Sequence, residues 1–223
     1  MPKLVIFDCD GVLVDTEVIA CRVLAEVLCA AGFPVEESEM RAFVGMSGPA
    51  AYDILAERFG RVVPEDVREQ VRAGFRTHII RGLEPIPGVV PLIDALAVPS
   101  CVGSNSSHAY LQMTLAAAGL AGRFAGRIFS AADVARPKPH PDLFLHAAAR
   151  MAAEPGDCIV IEDSVHGIAA AKAAGMRVAG FTGGGHCAED HETVLRAAGA
   201  EQAYRDMAAL ARYLAADGYL RAA

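Results

Sequence analysis

Lys3-Leu-Val-Ile-Phe7 is a short apolar run that stops at Asp8-Cys-Asp10-Gly11, and the identity of this stretch decides how the rest must fold. An apolar run of this length reads as a buried strand ending at Asp8. The next segment is different in kind. Thr16 opens a helical pattern through Ala31, closed by Gly32, with Val23, Leu24, Val27 and Leu28 as its apolar stripe. Further helical stretches are expected near Glu37–Val44, Pro49–Phe59 and Pro64–Ile80, and Glu84-Pro-Ile-Pro-Gly88 reads as a connection between two bodies. Residues 16–84 are therefore expected to form an all-helical domain inserted after the first strand.

Beyond Gly88 the pattern alternates. Helix Val89–Ala97 leads to strand Ser100–Gly103, helix Ala109–Ala118 and a short strand at Arg127–Ser130. Helix Asp142–Ala153, strand Cys158–Ile161, helix Val165–Ala174 and strand Arg177–Phe181 come next. Strands separated by helices need crossover connections, which give a parallel sheet. The expected fold class is α/β, a Rossmann-like parallel-sheet core from residues 1–15 and 85–223 carrying the helical insertion at 16–84.

Composition bounds the setting. With 223 residues, 53% of them hydrophobic, the chain can bury a sizeable core. A net charge of −7 with no basic cluster argues against nucleic acid or an anionic membrane as partner. No apolar run approaches transmembrane length, and the first strand begins by Lys3, leaving no room for a signal peptide. The six cysteines contain no Cys-x-x-Cys pair; Cys9, Cys101 and Cys158 sit in or beside apolar, strand-like stretches. Cys21 and Cys29 share a helical face, but eight residues at roughly 1.5 Å rise put them too far apart to bridge. These thiols point to a reducing, cytoplasmic location rather than a disulfide framework.

A parallel α/β sheet places functional residues just beyond the carboxyl ends of its strands. Four clusters fall there: Asp8-Cys-Asp10-Gly11, Ser104-Asn105-Ser-Ser107, Lys138 within Arg136-Pro-Lys-Pro-His-Pro141, and Glu162-Asp163-Ser164. If Asp8, Asp10, Glu162 and Asp163 converge, their mutual repulsion calls for protonation or a cation. A hard divalent ion such as Mg²⁺ suits oxygen donors and usually keeps positions for substrate phosphate oxygens. Lys138 adds a point charge, while the Ser104 hydroxyl and the amides from Asn105 to Ser107, leading into a helix, suit a dianion. A poised carboxylate makes the reaction phosphoryl transfer through an aspartyl-phosphate.

With these motifs in place, the sequence resembles the haloacid dehalogenase superfamily, in its phosphatase branch with a helical cap. The resemblance runs from Lys3 to about Cys187 and rests on Asp8-Cys-Asp-Gly-Val-Leu-Val-Asp15, Val102-Gly-Ser104, Arg136-Pro-Lys138-Pro and Ile161-Glu-Asp-Ser-Val-His-Gly167. It implies Asp8 as nucleophile and Asp10 as general acid and base, with the Asp10 backbone carbonyl lent to the metal. It further implies Ser104 and Lys138 on the phosphoryl group, and Mg²⁺ held by Asp8, Asp10 and Asp163, with Glu162 in or near the ligand set. An aspartate at position 10 separates phosphatases from dehalogenases, which lack it. The sequence is similar to β-phosphoglucomutase-like proteins and 6-phosphogluconate phosphatases. A mutase would carry a histidine where Ala20 stands and an arginine in the loop Gly45-Met-Ser-Gly48-Pro-Ala, so the implied activity is hydrolysis of a small phosphate ester, a sugar phosphate above all. A metabolite-binding protein without turnover is the third reading, set against the intact motifs.

Other features have plainer readings. Asp163 and Ser164 can cap the next helix without conflict with a metal. Thr182-Gly-Gly-Gly-His-Cys187, with Asp190 and His191, lacks the Gly-Lys-Ser/Thr ending of a phosphate loop and matches no usual zinc spacing, so it reads as a flexible loop near the site mouth. Arg41, Arg72, Arg76, His78 and Arg81 read mostly as a solvated helix face. The sequence leaves the oligomeric state open.

Overall fold

The structure is a computed structural model that describes residues 3–43 and 48–221. In chain order, β1 (Leu4–Phe7) is followed by α1 (Thr16–Ala30), α2 (Glu37–Met40), α3 (Gly48–Phe59) and α4 (Glu65–Gly82). Then come α5 (Val89–Ala95), β2 (Ser100–Ser104), α6 (His108–Ala117), β3 (Ile128–Ser130) and α7 (Asp142–Arg150). The chain continues through β4 (Cys158–Glu162), α8 (Val165–Ala173), β5 (Arg177–Phe181), α9 (His191–Ala198), β6 (Ala203–Tyr204) and α10 (Met207–Ala216). It divides into two compact units, Met1–Asp15 with Glu84–Ala223, and Thr16–Leu83.

The first unit is built on a six-stranded sheet in the order β3-β2-β1-β4-β5-β6, parallel throughout. Helices cover both faces of such a sheet, so its central strands read as continuous apolar runs; every residue of β1, β2 and β4 is buried. Sequence order reverses on either side of β1, which makes the β2-β1-β4 region the topological switch point where α/β sheets bind ligands. Register brings the relevant carboxyl ends level: Phe7 pairs with Val102 on one side and Ile161 on the other. The Asp8 amide extends the ladder by donating to the Ile161 carbonyl at 3.0 Å. On one face, Leu4, Ile6, Leu143, Phe144, Val160 and Ile168 pack into a single core.

The second unit has its own core, formed by Cys21, Leu28, Phe33, Met40, Leu55 and Val63 among others. On α1 the buried positions are Thr16, Cys21, Val23, Ala25 and Leu28. The stripe is thus rotated from the expected one: Leu24 and Val27 are only partly buried, because Cys21, Ala25 and Leu28, at i, i+4 and i+7, face the core.

The elements depart from expectation at three places. The helix expected over Glu37–Val44 is α2 followed by a 3₁₀ turn at Arg41–Phe43, and Val44 lies outside the described residues. So does most of the loop at 45–48 on which the mutase reading turns. Helix α7 stops at Arg150 because Ala152 takes a left-handed conformation, φ 54°, and the Ala153 amide turns back to the Ala148 carbonyl at 2.9 Å. Elements α9, β6 and α10 go beyond the sequence reading; β6 has two residues, too few to show a period.

Candidate active site

The four clusters meet at the carboxyl end of the sheet, and the sequence around each explains how. At the tip of β1, Gly11 has φ 78°, and a Cβ there would land on Oδ2 of Asp163. Glycine is what allows the Asp8–Asp10 turn to lie against the end of β4. The Asp8 carboxylate is buried, as are Glu162 and Asp163 from β4 and the loop after it. One carboxylate oxygen from each of these three lies within 4.8 Å of the others.

Lys138 enters this acidic group from the loop between β3 and α7. Its Nζ donates to Asp8 Oδ1 at 2.8 Å and to Glu162 Oε1 at 2.6 Å, and stands 4.9 Å above the Phe144 ring. Burial pushes the lysine's pKa down, but the Asp8 and Glu162 charges outweigh it and the net shift is upward, so the ammonium is held. Burial also raises Asp8; Lys138 opposes that rise, while Glu162, Asp163 and Asp10 add to it. The lysine's backbone is held as firmly as its tip. The Lys138 amide donates to Asn105 Oδ1 at 3.0 Å, and Asn105 Nδ2 donates back to the Lys138 carbonyl at 3.2 Å. The Asn105 side chain is thus committed to Lys138, which leaves its amide as the group that could meet a phosphate.

Glu162 is engaged on both oxygens. While Oε1 holds Lys138, Oε2 accepts from the Ser164 amide and hydroxyl, each at 2.8 Å. Ser164 caps α8 by accepting from the Gly167 amide at 3.0 Å. A Cβ on Gly167 would land on the Glu162 carboxylate. The motif Glu162-Asp-Ser-Val-His-Gly167 thereby seats a fully buried carboxylate at a helix N-terminus, where the backbone dipole favours it. Asp8 and Asp163 each keep one oxygen outside these bonds; Asp163 Oδ2 accepts from Nε2 of His186 at 3.0 Å. A hard divalent ion fits that donor set of two buried, partly committed carboxylates.

Ser104 is buried at the end of β2, and its Oγ accepts from the Ser106 amide at 3.1 Å. Asp10 stands outside the trio of Asp8, Glu162 and Asp163. Its Oδ1 accepts from the Tyr110 hydroxyl at 2.8 Å and its Oδ2 from the Ser106 hydroxyl at 3.1 Å. Ser106 is fixed in turn by the Ser130 hydroxyl, which donates to its carbonyl at 2.7 Å.

In sequence, Ser106 offered only its amide and His186 only a loop position, and Tyr110 did not stand out; their side chains reach Asp10 and Asp163. Tyr110 lies one helical turn past the Ser104–Ser107 cluster, which is the signal that could have found it. The loop read as flexible is tied down: the Gly185 amide donates to Asp15 Oδ2 at 2.7 Å, and His191 Nε2 lies 2.6 Å from the Asp163 carbonyl. Of the arginines read as a solvated face, Arg72 and Arg76 pair with Glu65 and Glu69 along α4 and are about half exposed. No helix among the described residues is long and apolar enough to cross a membrane.

The haloacid dehalogenase-like hydrolase family matches residues 2–175. The chain is 33% identical over 194 residues to 6-phosphogluconate phosphatase of Escherichia coli, covering 85% of this chain and 84% of that one. Among solved structures, a haloacid dehalogenase-like protein of unknown function from Agrobacterium tumefaciens is 40% identical with a TM-score of 0.87, covering 97% of this chain and 99% of its own. A HAD family hydrolase from Deinococcus radiodurans, solved with bound phosphate and sodium, is 34% identical with a TM-score of 0.89, covering 100% and 99%. The chain belongs to the haloacid dehalogenase-like hydrolases, as a phosphoric monoester hydrolase.

Proposed function

We propose that this chain is a Mg²⁺-dependent phosphatase acting on a small sugar phosphate through an aspartyl-phosphate on Asp8. The observation that carries the reading is Lys138 Nζ bridging Asp8 and Glu162 beside Asp163. One cation thus touches the proposed nucleophile within a group of three buried carboxylates. The substrate class is supported by the sugar-acid phosphate named for the Escherichia coli relative.

In this reading Asp8 attacks the phosphorus in line with the leaving oxygen. The P–O bond to the alcohol breaks, and Asp10 supplies the proton that the alkoxide takes. Asp10 then takes a proton from the water that attacks the aspartyl-phosphate, releasing inorganic phosphate and restoring Asp8. Ser104 Oγ, already accepting from the Ser106 amide, has its hydroxyl proton to give to a phosphoryl oxygen; Lys138 offers charge and the Asn105 amide a further donor. Mg²⁺, held by Asp8, Asp163 and the Asp10 carbonyl, would supply charge neutralisation between the phosphate and the carboxylates. Glu162 fits better as the anchor of Lys138 than as a direct ligand, since both its oxygens are engaged. The helical unit, Thr16–Leu83, is assigned the role of cap, excluding water and selecting substrate. The six free cysteines support a reducing, cytoplasmic setting.

The test is phosphate release from a panel of sugar phosphates, sugar-acid phosphates and nucleotides, with Mg²⁺ or with excess EDTA. The reading expects turnover of at least one sugar or sugar-acid phosphate with Mg²⁺ and loss of it in EDTA. Full activity in EDTA would overturn it.

A further inference from the structure

Beside the proposed Mg²⁺ site, the loop after β5 gathers a second donor set of different chemistry. His186, Cys187 and His191 each offer one ligand atom, and these atoms lie within 4.8 Å of one another. Two successive turns bring them together: the Cys187 amide donates to the Gly184 carbonyl, and the His191 amide to the Ala188 carbonyl, both at 3.1 Å. His191 then begins α9, which fixes its direction. Glycine matters at position 184, where a Cβ would stand 2.8 Å from Nδ1 of His186.

We propose that His186, Cys187 and His191 form a binding site for a thiophilic divalent transition ion, with Zn²⁺ as its representative. Two imidazoles and one thiol are soft to borderline donors, unlike the oxygens of Asp8 and Asp163. Tetrahedral zinc, with bonds of about 2.3 Å to sulfur and 2.0–2.1 Å to nitrogen, holds its donor atoms roughly 3.5 Å apart. Cys187 Sγ lies 3.5 Å from His186 Nε2. A second observation is independent of that spacing. The His186 side chain is more than nine-tenths buried, and its Nδ1 has no hydrogen-bond partner among the described residues. No hydrogen bond on Nδ1 anchors the ring, so the same ring can present the Nε2 that faces Cys187 to an ion.

Three protein ligands leave one position for water or another group. An ion there would compete with Asp163 for His186, since Nε2 of that ring holds Asp163 Oδ2. That consequence for activity rests on the function proposed above; the binding does not.

Co²⁺ titration of the full chain tests the site, because a thiolate-to-cobalt charge-transfer band in the near ultraviolet reports sulfur coordination directly. An ion on Asp8 and Asp163 has only oxygen donors and gives no such band. The expected result is a band saturating at one equivalent and erased by Zn²⁺. Cys187→Ser should abolish the band and weaken Zn²⁺ binding at least about tenfold. Cys29→Ser, which removes the exposed thiol, should leave it unchanged. Circular dichroism checks that both variants fold. No band in the wild-type chain, or a band that survives Cys187→Ser, overturns the proposal.

Discussion

Lys138 Nζ stands 2.6 Å from Oε1 of Glu162, a carboxylate with no exposure to solvent, and the same ammonium reaches Asp8 on its other side. The lysine is therefore aimed at the proposed nucleophile by a residue that need not touch substrate. Removing one partner of a buried ion pair strands the other, at a cost of about 3–5 kcal/mol. Glu162→Ala should lower Tm by roughly 10 °C in a chain of this size, and Glu162→Gln, which keeps the shape and the amide bonds, should lower it less. Thermal unfolding of the two variants checks the order.

Asp10 is held by Tyr110 and Ser106, not by the buried carboxylates. Asp10→Asn should cut turnover by about 10²–10⁴, the usual worth of a general acid and base. The loss should be smaller for an aryl phosphate, whose leaving group needs less help from a proton. Tyr110→Phe should lower kcat more than it changes KM, by about tenfold or less. Steady-state kinetics on an alkyl and an aryl ester separate these outcomes.

Gly167→Ala would put a methyl group on the Glu162 carboxylate. The change looks mild on an α-helix, where alanine is the better former. Here it should destabilise by about 1–3 kcal/mol and also depress activity, through the displaced Glu162 and Lys138. Denaturant melts and turnover measured together check this; a stabilised, fully active variant would contradict it.

Far from the site, Arg177 on β5 clamps Glu201 through Nε and Nη2, at 3.0 and 2.8 Å, and reaches Asp217 beyond α10 at 2.7 Å. The Arg177 hydrogen bonds hold Glu201 below its ordinary pKa. A carboxyl lowered by folding stabilises above its unfolded value, near 4.3, and that contribution is lost as pH falls through the folded one. Glu201→Gln should therefore flatten the loss of Tm below about pH 4 while lowering stability at pH 7. A scan of Tm against pH for both chains is the measurement.

The sheet was readable because β1, β2 and β4 are covered on both faces and so appear as unbroken apolar runs. The residues beyond the strands were readable for a related reason: a parallel sheet places the residues that follow its strands on one rim, where Asp8, Glu162 and Asp163 meet Lys138 from the loop after β3. The interactions among those residues were not readable. Asn105 suggested a phosphate contact through its amide; that its side chain closes on the backbone of Lys138, 33 residues away, was not legible. Glu162 read as a near neighbour of the metal, yet its two oxygens are shared between a lysine and a helix cap. His186 pairs with Asp163 from the loop after β5, and no spacing rule encodes that. Strand β6 joins the sheet through β5, with too few residues to carry a pattern.

The most direct test of the account is the covalent state of Asp8 during turnover. The chain, mixed with Mg²⁺ and a sugar phosphate that it hydrolyses, is quenched in acid within the first turnovers and its peptides are mapped by mass. The account predicts one added phosphoryl group on the peptide carrying Asp8, absent when EDTA is present and absent from Asp8→Asn, which also releases no phosphate. Phosphate release at the wild-type rate from Asp8→Asn would contradict it.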